Sequence, residues 1–98
     1  MLYPNAGHEN ARKHRQRVLK GGSILTGVDS SELSCTIRNM NKHGAGLRLS
    51  TDARIPHEFL LYVPVDRIAY RCVLRWRRQD SAGVEFTGTV PKPHWHYG

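Results

Sequence analysis

Hydrophobic and polar side chains alternate along most of the middle of the chain, from residue 18 to residue 86. The alternation is clearest over residues 70–77, where Tyr70, Cys72, Leu74 and Trp76 alternate with Arg71, Val73, Arg75 and Arg77. A β-strand turns successive side chains to opposite faces, so a period of two indicates a strand with one buried face. The pattern predicts that Tyr70 and Trp76 face a core and that the arginines face solvent.

Five further segments have strand character. Residues 33–38 and 45–50 alternate in the same way, residues 58–63 are apolar on both faces, and residues 24–26 and 83–86 are short apolar runs. Stretches rich in turn-forming residues separate the segments, and no strong helix pattern lies between them. This arrangement predicts an all-β protein, a small six-stranded antiparallel β-barrel, because closing the sheet leaves no long strand edge exposed.

Both ends of the chain lack this periodicity. Residues 1–10 are polar and are predicted to form a flexible tail. Residues 91–98 are interrupted by proline and are predicted to form a flexible C-terminal tail, whose Trp95 could dock on the body. We expect the barrel to span residues 11–90 and to begin with a basic ligand-binding segment, residues 11–17.

The chain has the size of one domain and a strong positive charge. Its 98 residues include 15 Lys and Arg against 8 Asp and Glu, which gives a formal net charge of +7 and a pI of about 10.0. Such a chain attracts anions, so nucleic acid, a phosphorylated small molecule, an anionic membrane surface and an acidic protein are candidate partners. The alternative is that the charge serves solubility alone.

No segment has the composition of a membrane span or a secretory signal. The longest apolar run, residues 59–65, is far shorter than the roughly 20 residues that cross a bilayer. Residues 1–10 contain no apolar core. We therefore expect a cytoplasmic protein with no membrane insertion.

Motifs for catalysis and metal binding are missing from the sequence. The six histidines have no recurrent spacing, and Cys35 and Cys72 occupy predicted core positions, as expected of buried thiols. No nucleophile motif occurs, and most carboxylates fall in turns, where they favour the turn or solubility. We expect no enzymatic activity, no metal and no cofactor.

Two segments carry hydrogen-bonding groups that a barrel does not need for its core. One is the basic run at residues 13–17, and the other is the Asn-rich turn at residues 39–44. Guanidinium groups bind phosphates by paired hydrogen bonds and stack on bases, and a turn ending in Gly presents amide groups to an anion. Together the segments would form one nucleotide-sized basic pocket. A solvated basic linker and an ordinary hairpin turn explain each segment equally well on its own.

At these residues the sequence resembles the PilZ family. The family pattern is Arg-x-x-x-Arg just before the first strand and Asp/Asn-x-Ser-x-x-Gly in the turn after the second. Lys13 and Arg17 occupy the first motif here, and Asn39, Asn41 and Gly44 occupy the second. The strings CTIRNMNKHGAGLRLS and CVLRWRRQDSAGVEF resemble the family's second and third strands and its last pair, so the resemblance runs from residue 12 to residue 86.

The resemblance implies that the chain is a receptor for the bacterial messenger cyclic di-GMP. It assigns six residues to the ligand, namely Lys13, Arg15, Arg17, Asn39, Asn41 and Gly44. Arg17 would be the main anchor to guanine or phosphate, the asparagines would meet a base edge or a phosphate, and Gly44 would allow close approach of the backbone. Arg12 and Arg75 are additional candidates.

Two positions depart from the family pattern, since Lys13 replaces an arginine and Asn41 replaces a serine. A lysine can neutralise a phosphate, but it cannot stack on a guanine or bind it through two parallel hydrogen bonds. Losing such a contact costs on the order of 1–3 kcal/mol, about tenfold to a hundredfold in affinity. We therefore expect a receptor of weakened affinity.

Two alternatives remain open. One is a PilZ-like protein-interaction module that does not bind cyclic di-GMP and contacts a downstream protein partner through its basic face and Trp95. The other is a nucleic-acid-binding barrel, which would stack bases on exposed aromatic side chains. Because Tyr70 and Trp76 are predicted on the core face, Tyr62 is the only strand aromatic predicted to point outward. We expect no specific nucleic acid as a partner.

Overall fold

The computed structural model describes residues 16–27 and 32–91. Arg12, Lys13 and Arg15 lie outside these ranges, as do both predicted tails apart from Pro91. The described residues form six strands: β1 (Gln16–Leu25), β2 (Glu32–Asn41), β3 (Gly44–Arg48), β4 (Glu58–Val63), β5 (Ile68–Arg78) and β6 (Ser81–Val90). No helix that could span a membrane occurs in this part of the chain.

The six strands close into one antiparallel barrel. Their order around the barrel is β1-β2-β3-β6-β5-β4, and β1 completes the circle by pairing with β4 from Ser23 to Leu25. This confirms the prediction of an all-β, six-stranded antiparallel barrel. Because the sheet is closed in this way, none of the six strands forms a long exposed edge.

The inward faces of the strands fill the barrel with apolar side chains. The largest fully buried side chains among the described residues are Ile24, Ile37, Leu47, Leu61, Val63, Cys72 and Val84. No polar or charged side chain among the described residues is buried. The alternation of β2 and β3 therefore builds the core as predicted and leaves their polar side chains on the outer surface.

β1 is longer than predicted and includes part of the basic segment. The prediction placed this strand at residues 24–26, but it begins at Gln16, and Arg17 pairs with Asn39 of β2. Pairing with β2 extends the strand through a stretch that lacks regular apolar alternation, with a bulge between Arg17 and Lys20. Arg17 therefore lies within the sheet and not in a linker before it.

The predicted inward position of Trp76 is wrong. Between Leu74 and Trp76, β5 contains one residue more than β6, and this extra residue is Arg75. Such a β-bulge shifts the phase of the alternation by one position, so the side chain after it changes face. Trp76 points outward and is 48% exposed.

The same shift changes the role of Arg77, which was predicted to face solvent. Arg77 is partly buried, and its guanidinium donates hydrogen bonds of 2.9 Å to the carbonyl oxygens of Ser50 and Ala53 and of 2.7 Å to that of Gln79. These bonds connect the loop between β3 and β4 to the turn between β5 and β6. Arg77 thus stabilises the barrel and is not part of an exposed basic surface.

The outer face of β4 carries a second, smaller apolar cluster. Tyr62 points to this outer face as predicted, but it is only 4% exposed because it packs with Leu25 and Ala69. β4 is therefore covered on both sides, as its sequence predicts. Among the described aromatic side chains, Trp76 and not Tyr62 is the exposed one.

Candidate functional site

A row of residues crosses five strands at one level on the outside of the barrel. Arg17 of β1 lies opposite Asn39 of β2, followed by Gly46 of β3, Gly83 of β6 and Trp76 of β5. Directly paired residues of antiparallel strands point to the same face of the sheet. The row therefore has a guanidinium at one end, an indole at the other, and an amide and two glycines between them.

The two glycines leave room for the side chains of their neighbours. A Cβ atom at Gly46 would lie 2.7 Å from the amide nitrogen of Asn39, and a Cβ atom at Gly83 would overlap the indole nitrogen of Trp76. The amide and the indole therefore lie directly against glycine backbone. Gly46, Gly83 and the amide of Asn39 therefore form the floor of a depression, and the indole of Trp76 forms one side of it.

Two β-bulges add outward-pointing arginines beside the row. Relative to β3, β2 contains one extra residue between Ile37 and Asn39, namely Arg38. Arg75 is the corresponding extra residue of β5. Bulges re-aim side chains and are common next to functional sites. Both arginines are exposed.

Residues of the row and their neighbours line an open groove of about 860 Å³. Its lining includes Arg17, Leu19, Arg38, Asn39, Trp76 and Ser81. Leu19 is 81% exposed, so the groove combines exposed apolar surface with two arginines. Its volume falls within the range of about 300–1,000 Å³ that is usual for small-molecule sites.

Positive charge in the groove comes from Arg17 and Arg38. Neither side chain forms an ion pair with a carboxylate of residues 16–27 or 32–91. Arg75, by contrast, is ion-paired with Glu85 and lies outside the groove lining. The groove therefore attracts anions through Arg17 and Arg38, whereas the charge of Arg75 is offset by its neighbour.

Asn41 and Gly44 belong to the hairpin between β2 and β3. The side-chain oxygen of Asn41 accepts hydrogen bonds from the backbone N–H groups of His43, at 2.7 Å, and Gly44, at 3.1 Å. A Cβ atom at Gly44 would overlap the carbonyl oxygen of Val84 in β6. The turn and the close approach of β3 to β6 thus require these two residues independently of any ligand.

The structure brings together only some of the predicted ligand residues. Arg17 and Asn39, one from each motif, are paired in the groove. Asn41 and Gly44 lie at the neighbouring hairpin and do not line the groove. The predicted contributions of Arg12, Lys13 and Arg15 fall outside the described residues.

Sequence reasoning missed Trp76 and Arg38, and also the glycines of the floor. The alternation of residues 70–77 predicts Trp76 on the core face, and the alternation of residues 33–38 gives Arg38 no special position. Glycines inside strands often mark a bulge or a close approach, so Gly46 and Gly83 carried a usable signal. The glycines alone do not show which side chain packs against them, because that depends on how strands distant in the sequence pair with each other.

The buried thiols are unsuited to catalysis or metal binding. Burial raises the pKa of Cys35 to about 11, and burial together with repulsion from Cys35 raises the pKa of Cys72 to about 12. Protonated thiols are poor nucleophiles and poor metal ligands. Within residues 16–27 and 32–91, no group of three or more His, Cys, Asp or Glu side chains could hold a metal ion.

The fold and the groove define a small β-barrel with a basic groove, bordered by tryptophan, on its outer face. Comparison of the chain with family models, curated proteins and solved structures finds no match. The chemistry of the groove is therefore the basis for assigning a function.

Proposed function

We propose that the chain is a PilZ-like receptor module that binds cyclic di-GMP in the groove between Arg17 and Trp76. The observation that carries the proposal is the pairing of Arg17 with Asn39, because it joins the two motifs that resemble the family's ligand-binding motifs. The two residues are far apart in the sequence and meet only through the register of β1 and β2.

The polar groups of the groove match the chemistry of this ligand. The guanidinium of Arg17 can bind a phosphate or the edge of a guanine through two parallel hydrogen bonds. Asn39 carries an amide, which both donates and accepts hydrogen bonds. Cyclic di-GMP offers phosphates and guanine edges to both groups.

Trp76 supports the proposal because it gives the groove an aromatic face. The indole is 48% exposed and lies against Gly83, opposite the end that Arg17 occupies. Stacking of a base on an aromatic side chain contributes about 1–3 kcal/mol. If a guanine of the ligand stacked on Trp76, the phosphates of the ligand would face the arginines at the other end of the groove.

The departures at Lys13 and Asn41 bear on affinity. Lys13 can supply charge but not the paired hydrogen bonds of an arginine. The side-chain oxygen of Asn41 is engaged with the turn. We therefore propose a receptor of weakened affinity, in which Arg17 and Asn39 make the principal polar contacts and Lys13 and Arg15 add charge.

Isothermal titration calorimetry with cyclic di-GMP tests the proposal at about 0.15 M salt, where exposed charges are screened beyond about 8 Å. We expect saturable binding by the wild-type protein and about tenfold to hundredfold weaker binding by Arg17→Ala. Arg54→Ala is the control, because Arg54 is exposed and lies outside the groove. If Arg17→Ala binds cyclic di-GMP with the same affinity as the wild type, the ligand does not bind in this groove.

A single-stranded oligonucleotide belongs in the same titration series. The exposure of Trp76 removes the sequence argument against base stacking. We expect an oligonucleotide to bind only at low salt, as general charge attraction does. Binding that persists at about 0.15 M salt and competes with cyclic di-GMP would assign the groove to nucleic acid instead.

The second candidate is a protein-interaction module that does not bind cyclic di-GMP. The exposed side chains of Leu19 and Trp76 favour it, because apolar and aromatic residues at one groove are typical of the centre of an interface. A flat calorimetric trace with cyclic di-GMP would support this candidate. Pull-down with the wild type and with Trp76→Ala would then identify partners that depend on the groove.

A further inference from the structure

Arg38 occupies an unusual place beside the proposed ligand. It is the extra residue of the β2 bulge, and it directly precedes Asn39, the residue that pairs with Arg17. Its side chain is exposed and lines the groove. Arg17 and Arg38 are therefore on neighbouring strands, and each is next to Asn39, one across the sheet and the other along the chain.

No carboxylate of residues 16–27 or 32–91 offsets the charge of Arg38. The structure contains a natural comparison, since Arg75 is also the extra residue of a bulge and is ion-paired with Glu85. No carboxylate of the described ranges forms such a pair with Arg38 or with Arg17. Two guanidinium groups in one groove repel each other, and a ligand with two anionic groups relieves that repulsion.

We propose that Arg38 is a second anion-binding residue of the groove, so that Arg17 and Arg38 each engage one of the two phosphates of a cyclic dinucleotide. The inference rests on the proposed function and specifies which residue supplies the second guanidinium. Arg38 would supply the forked hydrogen bonds that Lys13 cannot make. The groove is then selective for a ligand with two separate phosphates.

The test compares charge-matched variants with cyclic di-GMP as the probe. Arg38→Gln is expected to bind about tenfold to hundredfold more weakly than the wild type. Arg71→Gln is the control, because it removes the same charge from an exposed position of β5 outside the groove. We expect its affinity to stay within about twofold of the wild type, since distant exposed charges are screened. Arg38→Lys, which keeps the charge but loses the fork, is expected to be intermediate.

Salt dependence provides the second readout. The slope of log affinity against log salt concentration is expected to be shallower for Arg38→Gln than for the wild type, because one charge–charge contact with the ligand is lost and less attraction remains to be screened. Arg71→Gln is expected to keep the wild-type slope. If Arg38→Gln keeps both the affinity and the slope of the wild type while Arg17→Ala loses affinity, the inference about Arg38 fails and the proposed function stands. If the wild-type protein gives no saturable binding, both fail.

Discussion

Gly83 sets the position of the aromatic side chain of the groove. The indole of Trp76 occupies the space that any larger residue at position 83 would need for its Cβ atom. The side chain of Asn39 lies over Gly46 for the same reason. At the scale of single residues, the floor of the groove therefore depends on two positions that have no side chain of their own.

Substituting Gly83 by Ala tests this arrangement. The added methyl group must displace the indole, so we expect weaker binding of cyclic di-GMP and a loss of about 1–3 kcal/mol in the free energy of unfolding. Trp76 fluorescence, measured in a Trp95→Phe background, should shift to longer wavelength as the indole moves into solvent. Urea unfolding measures the change in stability.

Gly21→Ala is the matched control for Gly83→Ala. Gly21 also lies in a strand, but a Cβ atom there would meet nothing within 4 Å. We expect this variant to keep the fluorescence of the wild type and a stability within about 0.5 kcal/mol of it. An unchanged Trp76 emission in Gly83→Ala would mean that the indole does not depend on the glycine.

Strand alternation could be predicted from the sequence, but the bulges could not. The apolar positions of β2 and β3 identify core residues because each strand has one buried face. This period of two can be seen within the sequence of a single strand. The bulge at Arg75 depends on the register in which β5 pairs with β6, and the sequence of β5 alone does not show that register. The prediction for Trp76 failed at that bulge. The same limit applies to Arg38, whose place in the groove follows from the pairing of β2 with β3.

The hairpin between β2 and β3 gives the clearest prediction at the scale of an element. Asn41→Ala removes the acceptor of two backbone hydrogen bonds, so we expect the free energy of unfolding to fall by about 1–2 kcal/mol. Asn41→Asp keeps an acceptor oxygen and should restore most of that stability. Urea unfolding of the three proteins measures the difference. A variant Asn41→Ala of native stability that no longer binds cyclic di-GMP would instead assign Asn41 to the ligand.

The barrel as a whole encloses two thiols whose ionisation opposes folding. Cys35 of β2 and Cys72 of β5 are buried in the same core. Burial also raises the pKa of the Tyr70 hydroxyl, and the negative charge of Asp66 raises it further. The two thiols come from strands that are not neighbours in the barrel, so their burial in one core requires the closed sheet.

Alkaline pH should therefore destabilise the protein through its core. In the unfolded chain a thiol ionises with a pKa near 9.0, whereas in the barrel Cys35 keeps its proton up to about pH 11 and Cys72 up to about pH 12. Between these values the folded state holds more protons than the unfolded state, so the free energy of unfolding falls as the pH rises. Between pH 9 and its pKa in the barrel, each thiol contributes a fall that approaches about 1.4 kcal/mol per pH unit. Urea unfolding from pH 8 upward, in the presence of a reductant, measures the slope. The double variant Cys35→Ala/Cys72→Ala should be less stable than the wild type near neutral pH but should have a shallower slope, and equal slopes would show that the thiols do not couple to folding.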